Sequence, residues 1–178
     1  MEFKTKNMIV SVLKPEDILL LIKYQNDNCE HLAKWEPTRA LSYYSAEETK
    51  KRIVTGMQNF ELGTSVSLVG FNEDKTEIIG LCTFSNIVHG AFQACNLGYS
   101  ISERYQGKGL MFEMLQSAIK YIFAEYNLHR IMANYIPENT RSEKLLFKLG
   151  FEKEGLAKSY LKISGKWQDH ILTSKILA

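Results

Sequence analysis

Six consecutive residues near the middle of the chain, 104–109, have the composition of an anion-binding turn. They read Arg-Tyr-Gln-Gly-Lys-Gly and lie between a strand ending near Ile101 and a helix beginning at about Gly107. The first amides of a helix lack intrahelical acceptors and lie at the positive end of its dipole, so they favour phosphate, and glycines leave room for it. We therefore expect a polyphosphate ligand, although a turn that only connects strand to helix has the same pattern.

Two common nucleotide-binding motifs do not fit this segment. A Walker loop needs glycine five residues before Gly107, where Ser102 stands, and Ser or Thr after Lys108, where Gly109 stands. The dinucleotide fingerprint needs a small residue at the position of Phe112. ATP hydrolysis and nicotinamide or flavin cofactors are therefore disfavoured.

The histidines and cysteines are scattered along the chain. They are His31, His89, His129, His170, Cys29, Cys82 and Cys95. Their spacing matches neither H-E-x-x-H nor C-x-x-C, and Cys82 and Cys95 fall in strand-like runs where buried thiols are common. We expect no metal site, no disulfide framework and no cysteine–histidine hydrolase.

Composition limits the class of protein further. The 178 residues are 45% hydrophobic and 24% charged, and 22 Lys and Arg against 20 Asp and Glu give a net charge of +2. These values exclude a disordered chain, and they carry no signal for nucleic-acid or membrane binding. We expect one domain over residues 1–178, in the cytoplasm, because neither a signal peptide nor an apolar run of membrane-spanning length is evident.

Hydrophobic periodicity predicts the elements that must position the turn. Strands are expected over residues 8–13, 64–71, 77–87, 91–101, 129–135, 151–163 and 167–176. Helices are expected from residue 15 to about 28, from 46 to before 63, from 110 through 123, and from 140 to 149. The strand–helix–strand order around residues 101–135 requires one parallel pair in an otherwise antiparallel sheet.

The segment 104–109 has the spacing [Gln/Arg]-x-x-Gly-x-[Gly/Ala] of the GNAT acetyltransferase superfamily, and the order of elements is similar to that fold. The segments 31–37, 106–113, 129–135, 139–142, 149–155 and 167–170 further resemble bacterial ribosomal-protein alanine N-acetyltransferases. The resemblance spans residues 31–174. It implies a three-layer α+β fold, a mixed, mostly antiparallel sheet of about six to seven strands with about four helices, whose central strands part to admit acetyl-CoA.

The resemblance also implies direct transfer of acetyl from acetyl-CoA to an amine, without a covalent acyl-enzyme, a metal or a second cofactor. It assigns the CoA pyrophosphate to Gln106, Gly107, Lys108, Gly109 and Leu110, with Arg104 at the entrance of the turn. It assigns the pantetheine arm to the backbones of Tyr99 and Ile101, and oxyanion stabilisation to the backbone N–H of Leu97.

The acid and base of the reaction are less evident. Asn139 and Ser142 are expected to face the CoA sulfur, and the Tyr that many relatives use as acid is replaced by Leu146. Ser142 can hydrogen-bond the leaving thiolate instead, or it can satisfy backbone donors at the helix start. Many relatives carry Glu at the position of Asn96. Asp169 and Glu103 are the carboxylate candidates for the base, although such residues more often pair with Lys or Arg and face solvent.

The resemblance implies a protein N-terminus, that of a ribosomal protein, as the acceptor. An α-amine with a pKa of about 7.7 to 8.0 has a substantial neutral fraction at physiological pH, whereas lysine at about 10.4 is nearly all protonated, so a weak or water-mediated base suffices for an N-terminal acceptor. Two alternatives stay open: acetylation of a small amine such as a polyamine, an amino acid or a drug, and a CoA-binding ribosome-assembly factor without catalysis. Trp35, Tyr43 and Tyr44 lie in the region that shapes the acceptor site in this superfamily, and core packing explains Trp35 equally well. The sequence does not determine the oligomeric state.

Overall fold

The computed structural model describes residues 1–177, and its central element is one sheet of eight strands. The strands are β1 (Glu2–Lys4), β2 (Ile9–Val12), β3 (Val66–Phe71), β4 (Ile78–Val88), β5 (Ala94–Ile101), β6 (Arg130–Met132), β7 (Glu152–Ile163) and β8 (Lys166–Ile176). They lie in the order β1-β2-β3-β4-β5-β6-β8-β7, and every neighbouring pair is antiparallel except β5 and β6. The mixed, mostly antiparallel sheet is confirmed.

The sheet has one strand more than the six to seven expected. The additional strand is β1, which pairs with β2 along three residues at the edge of the sheet. Two of its three residues are charged, so the sequence shows no alternation of apolar and polar positions over a useful length.

Four helices flank the sheet, as expected. They are α1 (Ile18–Leu32), α2 (Ala46–Glu61), α3 (Leu110–Tyr126) and α4 (Thr140–Lys148). The side chain of Ser45 accepts the Glu48 amide at 3.2 Å, as the capping pattern predicted. Helix α1 continues four residues past its predicted end near Asn28. The Asn28 side chain is buried, and its amide donates to the Tyr24 carbonyl one turn earlier.

The helices form two layers, one on each face of the sheet. Helix α3 lies over the larger core, where it buries Met111, Met114, Leu115, Ala118, Ile119, Ile122 and Phe123. Leu146 of α4 joins the same core. Helices α1 and α2 cover the opposite face through Leu21, Tyr24 and Ile53, so the three-layer arrangement is confirmed.

The parallel strands β5 and β6 stay together for only three residues, from Ala94 to Asn96 on β5. Beyond that point β5 continues beside β4 alone. The chain after β6 moves towards β8, where Tyr135 forms an isolated bridge to Ile171. The sheet therefore opens beside the second half of β5, as the expected separation of the central strands requires.

No helix within residues 1–177 combines the length and apolar composition that crossing a bilayer requires.

Candidate active site

The segment from Ser102 to Phe112, here called the α3 turn, connects β5 to α3. Gly107 and Gly109 adopt left-handed conformations with φ of 73° and 76°, which side-chain-bearing residues rarely adopt. A Cβ atom built at either glycine would meet no heavy atom within 4 Å. Packing within the protein therefore does not fill the space beside these two residues, and a ligand can occupy it.

The backbone of the α3 turn presents unpaired donors to this space. Helix α3 begins at Leu110, where the apolar periodicity begins and three residues after the start at about Gly107 inferred from the turn, and Gly109 is its N-cap without a side-chain hydrogen bond. The first helical bond runs from the Glu113 amide to the Gly109 carbonyl at 3.1 Å. Among the hydrogen bonds of residues 1–177, none is donated by the amides of residues 109–112. Consecutive free amides at a positive helix end are suited to a diphosphate.

Helix α1 holds the α3 turn from the opposite side of the sheet. The Tyr24 hydroxyl lies 2.9 Å from the hydroxyl of Ser100. The buried Asn28 side chain accepts the amide of Glu103 at 2.8 Å. Tyr24 and Asn28 are four residues apart, and His31 follows Asn28 by three residues. This spacing places all three on one face of α1.

His31 contacts the residue that precedes the turn and one residue within it. Its Nε2 lies 3.0 Å from the Ile101 carbonyl and 3.3 Å from Nε2 of Gln106. The guanidinium of Arg141, at the start of α4, donates to the Gln106 side-chain oxygen. The α3 turn is thus connected to α1 and α4, and Arg141 adds a cation whose role the sequence did not reveal.

Two cations of the turn have different surroundings. Arg104, expected at the entrance, forms an ion pair with Glu77, whose carboxylate also accepts the Tyr105 hydroxyl at 2.8 Å. Lys108 is exposed, lies 5.3 Å from the centre of the Tyr105 ring, and forms no ion pair within residues 1–177. Lys108 is therefore the cation of the turn that is free to meet an anion.

The backbone of β5 faces the opening in the sheet. The Ser102 amide donates to the Ile79 carbonyl at 2.9 Å, so Ser102 directs its backbone groups towards β4. Because these directions alternate along a strand, Ile101, Tyr99 and Leu97 direct theirs away from β4 and into the opening. The structure therefore brings the three predicted strand positions to the gap where an extended ligand can pair with them.

The start of α4 meets β5 through two hydroxyl groups. Asn139 is the N-cap of α4, and its side-chain oxygen accepts the Ser142 amide at 3.1 Å. The Ser142 hydroxyl is thereby left for a hydrogen bond with the Tyr99 hydroxyl. Burial raises the pKa of Tyr99 to about 12, so this phenol is protonated at neutral pH. Leu146, at the position of the missing Tyr, is buried in the core.

The sequence predicted only a backbone role for Tyr99. Its hydroxyl became evident once β5 and α4, 43 residues apart, were packed together. The alternation of buried positions along β5 gives a partial signal, because it directs this ring towards the α3 side.

The carboxylates considered as bases have other contacts. Asp169 on β8 accepts the Ser159 amide at 2.8 Å, within an irregular stretch of β7 where Ser159 has a φ of 47°. Glu103 is exposed at the surface of the α3 turn. Asp169 thus stabilises a backbone irregularity, instead of the solvent-facing ion pair that the sequence also allowed.

A cavity of about 380 Å³, here called the α1 cavity, lies on the sheet face opposite α3. It is bounded by α1, by residues 33–44 and by the hairpin between β7 and β8. Its lining includes Tyr24, Cys29, Glu36, Arg39, Tyr43 and Ser100. Tyr44 lines it as well, whereas Trp35 does not and instead lies 4.4 Å from the Lys34 ammonium.

Glu36 is a carboxylate in the lining of this cavity to which the sequence assigned no role. Burial raises the pKa of its carboxyl group, and the charges of Arg39 and His31 offset only part of that effect. The signal in the sequence that pointed to Glu36 was its position between Trp35 and Pro37, within the segment 31–37 that carries part of the family resemblance.

Within residues 1–177, no group of three or more His, Cys, Asp or Glu side chains is arranged to hold a metal ion. Cys82 and Cys95 are buried, as their strand positions predicted, and burial raises the pKa of Cys95 to about 12.

Comparisons with known proteins agree with this geometry. Residues 8–152 match the acetyltransferase (GNAT) domain family. The [ribosomal protein uS5]-alanine N-acetyltransferase of Escherichia coli K12 is 45% identical over 170 residues, covering 96% of this chain and 88% of that protein. The probable N-acetyltransferase YjcK of Bacillus subtilis is 33% identical over 167 residues, covering 94% and 92%.

Two solved structures have the same fold. The ribosomal-protein-S5-alanine acetyltransferase of Vibrio fischeri superposes with a TM-score of 0.95 at 40% identity, covering 99% of this chain and 96% of that one. Mycobacterium smegmatis RimJ in complex with CoA-disulfide superposes with a TM-score of 0.91 at 25% identity, covering 98% and 86%.

The sheet opens beside a glycine-containing helix start. Together with these matches, that arrangement defines the class of protein as a transferase that uses acyl-CoA. The chain belongs to the GNAT acetyltransferase family.

Proposed function

We propose that this protein transfers the acetyl group of acetyl-CoA to the N-terminal alanine of ribosomal protein uS5. The observation that carries the proposal is the 45% identity, over 96% of the chain, with the E. coli enzyme named for that reaction. The V. fischeri enzyme named for the S5 alanine, with a TM-score of 0.95, supports it further.

The α3 turn is suited to the donor. In the proposed complex, the amides of residues 107–112 bind the pyrophosphate, with Lys108 and Arg141 as nearby cations. The pantetheine arm pairs with the backbones of Tyr99 and Ile101 along the opening in the sheet. The CoA-disulfide bound to M. smegmatis RimJ supports a CoA-type ligand on this fold.

The proposed reaction is a direct transfer. The neutral α-amine attacks the thioester carbonyl, and the Leu97 N–H stabilises the oxyanion that forms. The C–S bond then breaks, and the thiolate accepts a hydrogen bond from the Ser142 hydroxyl, which Tyr99 orients. A thiol with a pKa near 8.5 is a good leaving group, so this site needs no strong acid. Under this proposal the reaction takes place in the cytoplasm, where acetyl-CoA and ribosomal proteins occur together.

The test is an acceptor panel. The protein is incubated with acetyl-CoA and with uS5 N-terminal peptides, lysine peptides and polyamines, while thiol release and product mass are followed. Acetylation of α-amines, with the alanine peptide preferred, is expected. Turnover of polyamines alone would contradict the acceptor, and CoA binding without any turnover would favour the assembly-factor alternative.

A further inference from the structure

The α1 cavity reaches strand β5 on the face of the sheet opposite helix α3. Ser100 lies in its lining, directly between Tyr99 and Ile101, whose backbones face the opening in the sheet. Donor phosphate and acceptor can therefore approach from different faces and meet at that opening. A volume of about 380 Å³ lies within the range of ligand pockets and accommodates the end of a peptide chain.

Glu36 is the acidic side chain in the lining of this cavity. It is partly exposed, and its carboxylate accepts no hydrogen bond and joins no ion pair within residues 1–177. Its backbone is held in place, because its carbonyl accepts the Ser164 amide from the β7–β8 hairpin at 3.0 Å. The carboxylate is thus positioned in the cavity, and its oxygens are available to accept hydrogen bonds from a ligand.

The charged and titratable neighbours of Glu36 come from two elements. Helix α1 contributes His31, Tyr24 and Cys29, and the segment after it contributes Arg39, Tyr43 and Tyr44. The strands contribute Leu81 and Ser100, and the hairpin contributes Ser164, which carry no charge. The cavity therefore contains one carboxylate able to receive a proton from an incoming ammonium group.

We propose that Glu36 is the general base of this protein, and that its carboxylate takes a proton from the acceptor's α-ammonium group in the α1 cavity. This inference rests on the proposed function and names a different carboxylate from Asp169 and Glu103, the candidates that the sequence suggested.

In the proposed step, Glu36 takes the first proton of the acceptor and the leaving thiolate takes the second. The ammonium group gives one proton to Glu36, and the electron pair it releases forms the C–N bond to the thioester carbon. The C–S bond breaks with its electron pair on sulfur, and the thiolate takes the second nitrogen proton, directly or through the Ser142 hydroxyl. The products are the acetylated amine, CoA thiol and protonated Glu36, which releases its proton to solvent.

The electrostatics of the cavity favour an α-amine over lysine as the acceptor. Proton transfer is most efficient when the two pKa values are close. Burial raises the pKa of Glu36 towards that of an α-amine, at about 7.7 to 8.0, whereas lysine at about 10.4 is further away.

The test compares the wild-type protein with Glu36→Gln, which keeps the shape of the side chain and removes the base. With the alanine peptide and saturating acetyl-CoA, we expect kcat/KM for the peptide at pH 8 to fall about 100-fold, the lower range for a general base. The dissociation constant for acetyl-CoA, measured by calorimetry, should not change. The control is Glu30→Gln, an exposed residue on α1, which should behave as wild type.

The pH profile separates a base from a structural residue. Wild-type activity requires ionised Glu36 and is lost as pH falls through its raised pKa, a limb that Glu36→Gln lacks. The ratio of wild-type to variant kcat/KM should therefore shrink towards one as the pH falls. A ratio that is constant with pH, or activity equal to wild type, would overturn the proposal.

A second variant covers the case in which Glu36→Gln fails to fold. Thr38→Trp places a large side chain in the exposed lining of the cavity. It should raise KM for the peptide about tenfold while acetyl-CoA binding is unchanged, and an unchanged KM contradicts the cavity assignment. If the wild-type protein acetylates no α-amine at all, the proposed function fails and this inference fails with it.

Discussion

The α3 turn lies at the end of β5, whereas the α1 cavity lies on the sheet face opposite helix α3, and the two regions are built in different ways. The α3 turn offers mainly the free backbone amides of residues 109–112, within a stretch of eleven consecutive residues where two glycines leave space. The α1 cavity offers side chains from α1, from residues 33–44, from two strands and from a hairpin that begins more than 60 residues after the second of those strands. A site made of local backbone has a short sequence pattern, whereas a site made of distant side chains has none.

Because the two regions are built differently, we expect substitutions in each to impair a different step. Changes in the α3 turn should weaken donor binding, and changes in the α1 cavity should affect only the acceptor. Helix α1 connects the two, because one face of it holds the turn while other residues line the cavity.

The largest effect is expected from Gly109→Val. A β-branched residue at a φ of 76° is strained, and its side chain would occupy the space in front of the free amides. Acetyl-CoA affinity measured by calorimetry should fall about 100-fold, equivalent to about 2.8 kcal/mol. Gly90→Val is the matched control, since Gly90 has a φ of 74° and the same open surroundings. Equal loss of affinity in both variants would mean that strain alone is responsible.

A smaller effect is expected from Asn28→Leu, which tests the connection between the two regions. The change removes two hydrogen bonds and leaves the Glu103 amide without its partner. The free energy of unfolding in urea should fall by about 2 to 3 kcal/mol, and acetyl-CoA affinity should fall about tenfold. Asn26→Leu, at an exposed position of the same helix, should change neither quantity. Full acetyl-CoA affinity in a destabilised Asn28→Leu protein would show that α1 does not position the turn.

Ser142→Ala tests the chemistry at the opening between the regions. The variant loses the hydroxyl that contacts Tyr99, and the leaving thiolate loses a donor. We expect kcat to fall about tenfold, or about 1.4 kcal/mol, with unchanged affinity for acetyl-CoA. Thr140→Ala removes an exposed hydroxyl two residues earlier and is the control. A kcat equal to wild type would remove Ser142 from the proposed mechanism.

The smallest effect is expected from labelling Cys29, which is exposed and lines the α1 cavity. A maleimide should modify Cys29 alone in the native protein, since Cys82 and Cys95 are buried. Mass spectrometry should detect one adduct, and KM for the peptide should rise several-fold without a change in acetyl-CoA affinity. The reagent should have no effect on Cys29→Ser. Weaker acetyl-CoA binding after labelling would contradict the separation of the two regions.

The sequence predicted the donor side well and the acceptor side poorly. It located the α3 turn, the strand that feeds it and the helix after it, because glycine spacing and helical periodicity are local signals. It predicted a role for the backbone of Tyr99 but none for its hydroxyl, and it considered Asp169 rather than Glu36 as the base. The pairing of hydroxyl groups and the burial of a carboxylate depend on neighbours 40 or more residues away, so a local pattern does not reveal them.

The sequence by itself determined the order of elements, the single parallel pair and a helix start suited to phosphate. These features depend on the periodicity of apolar residues and on backbone freedom at glycine, which nearby residues specify. Only the tertiary structure decided that β5 and β6 separate after three residue pairs, that Ser142 meets Tyr99, and that Glu36 is enclosed beside the sheet. Each of these depends on packing between distant segments, and packing changes hydration and pKa in ways that no single segment encodes.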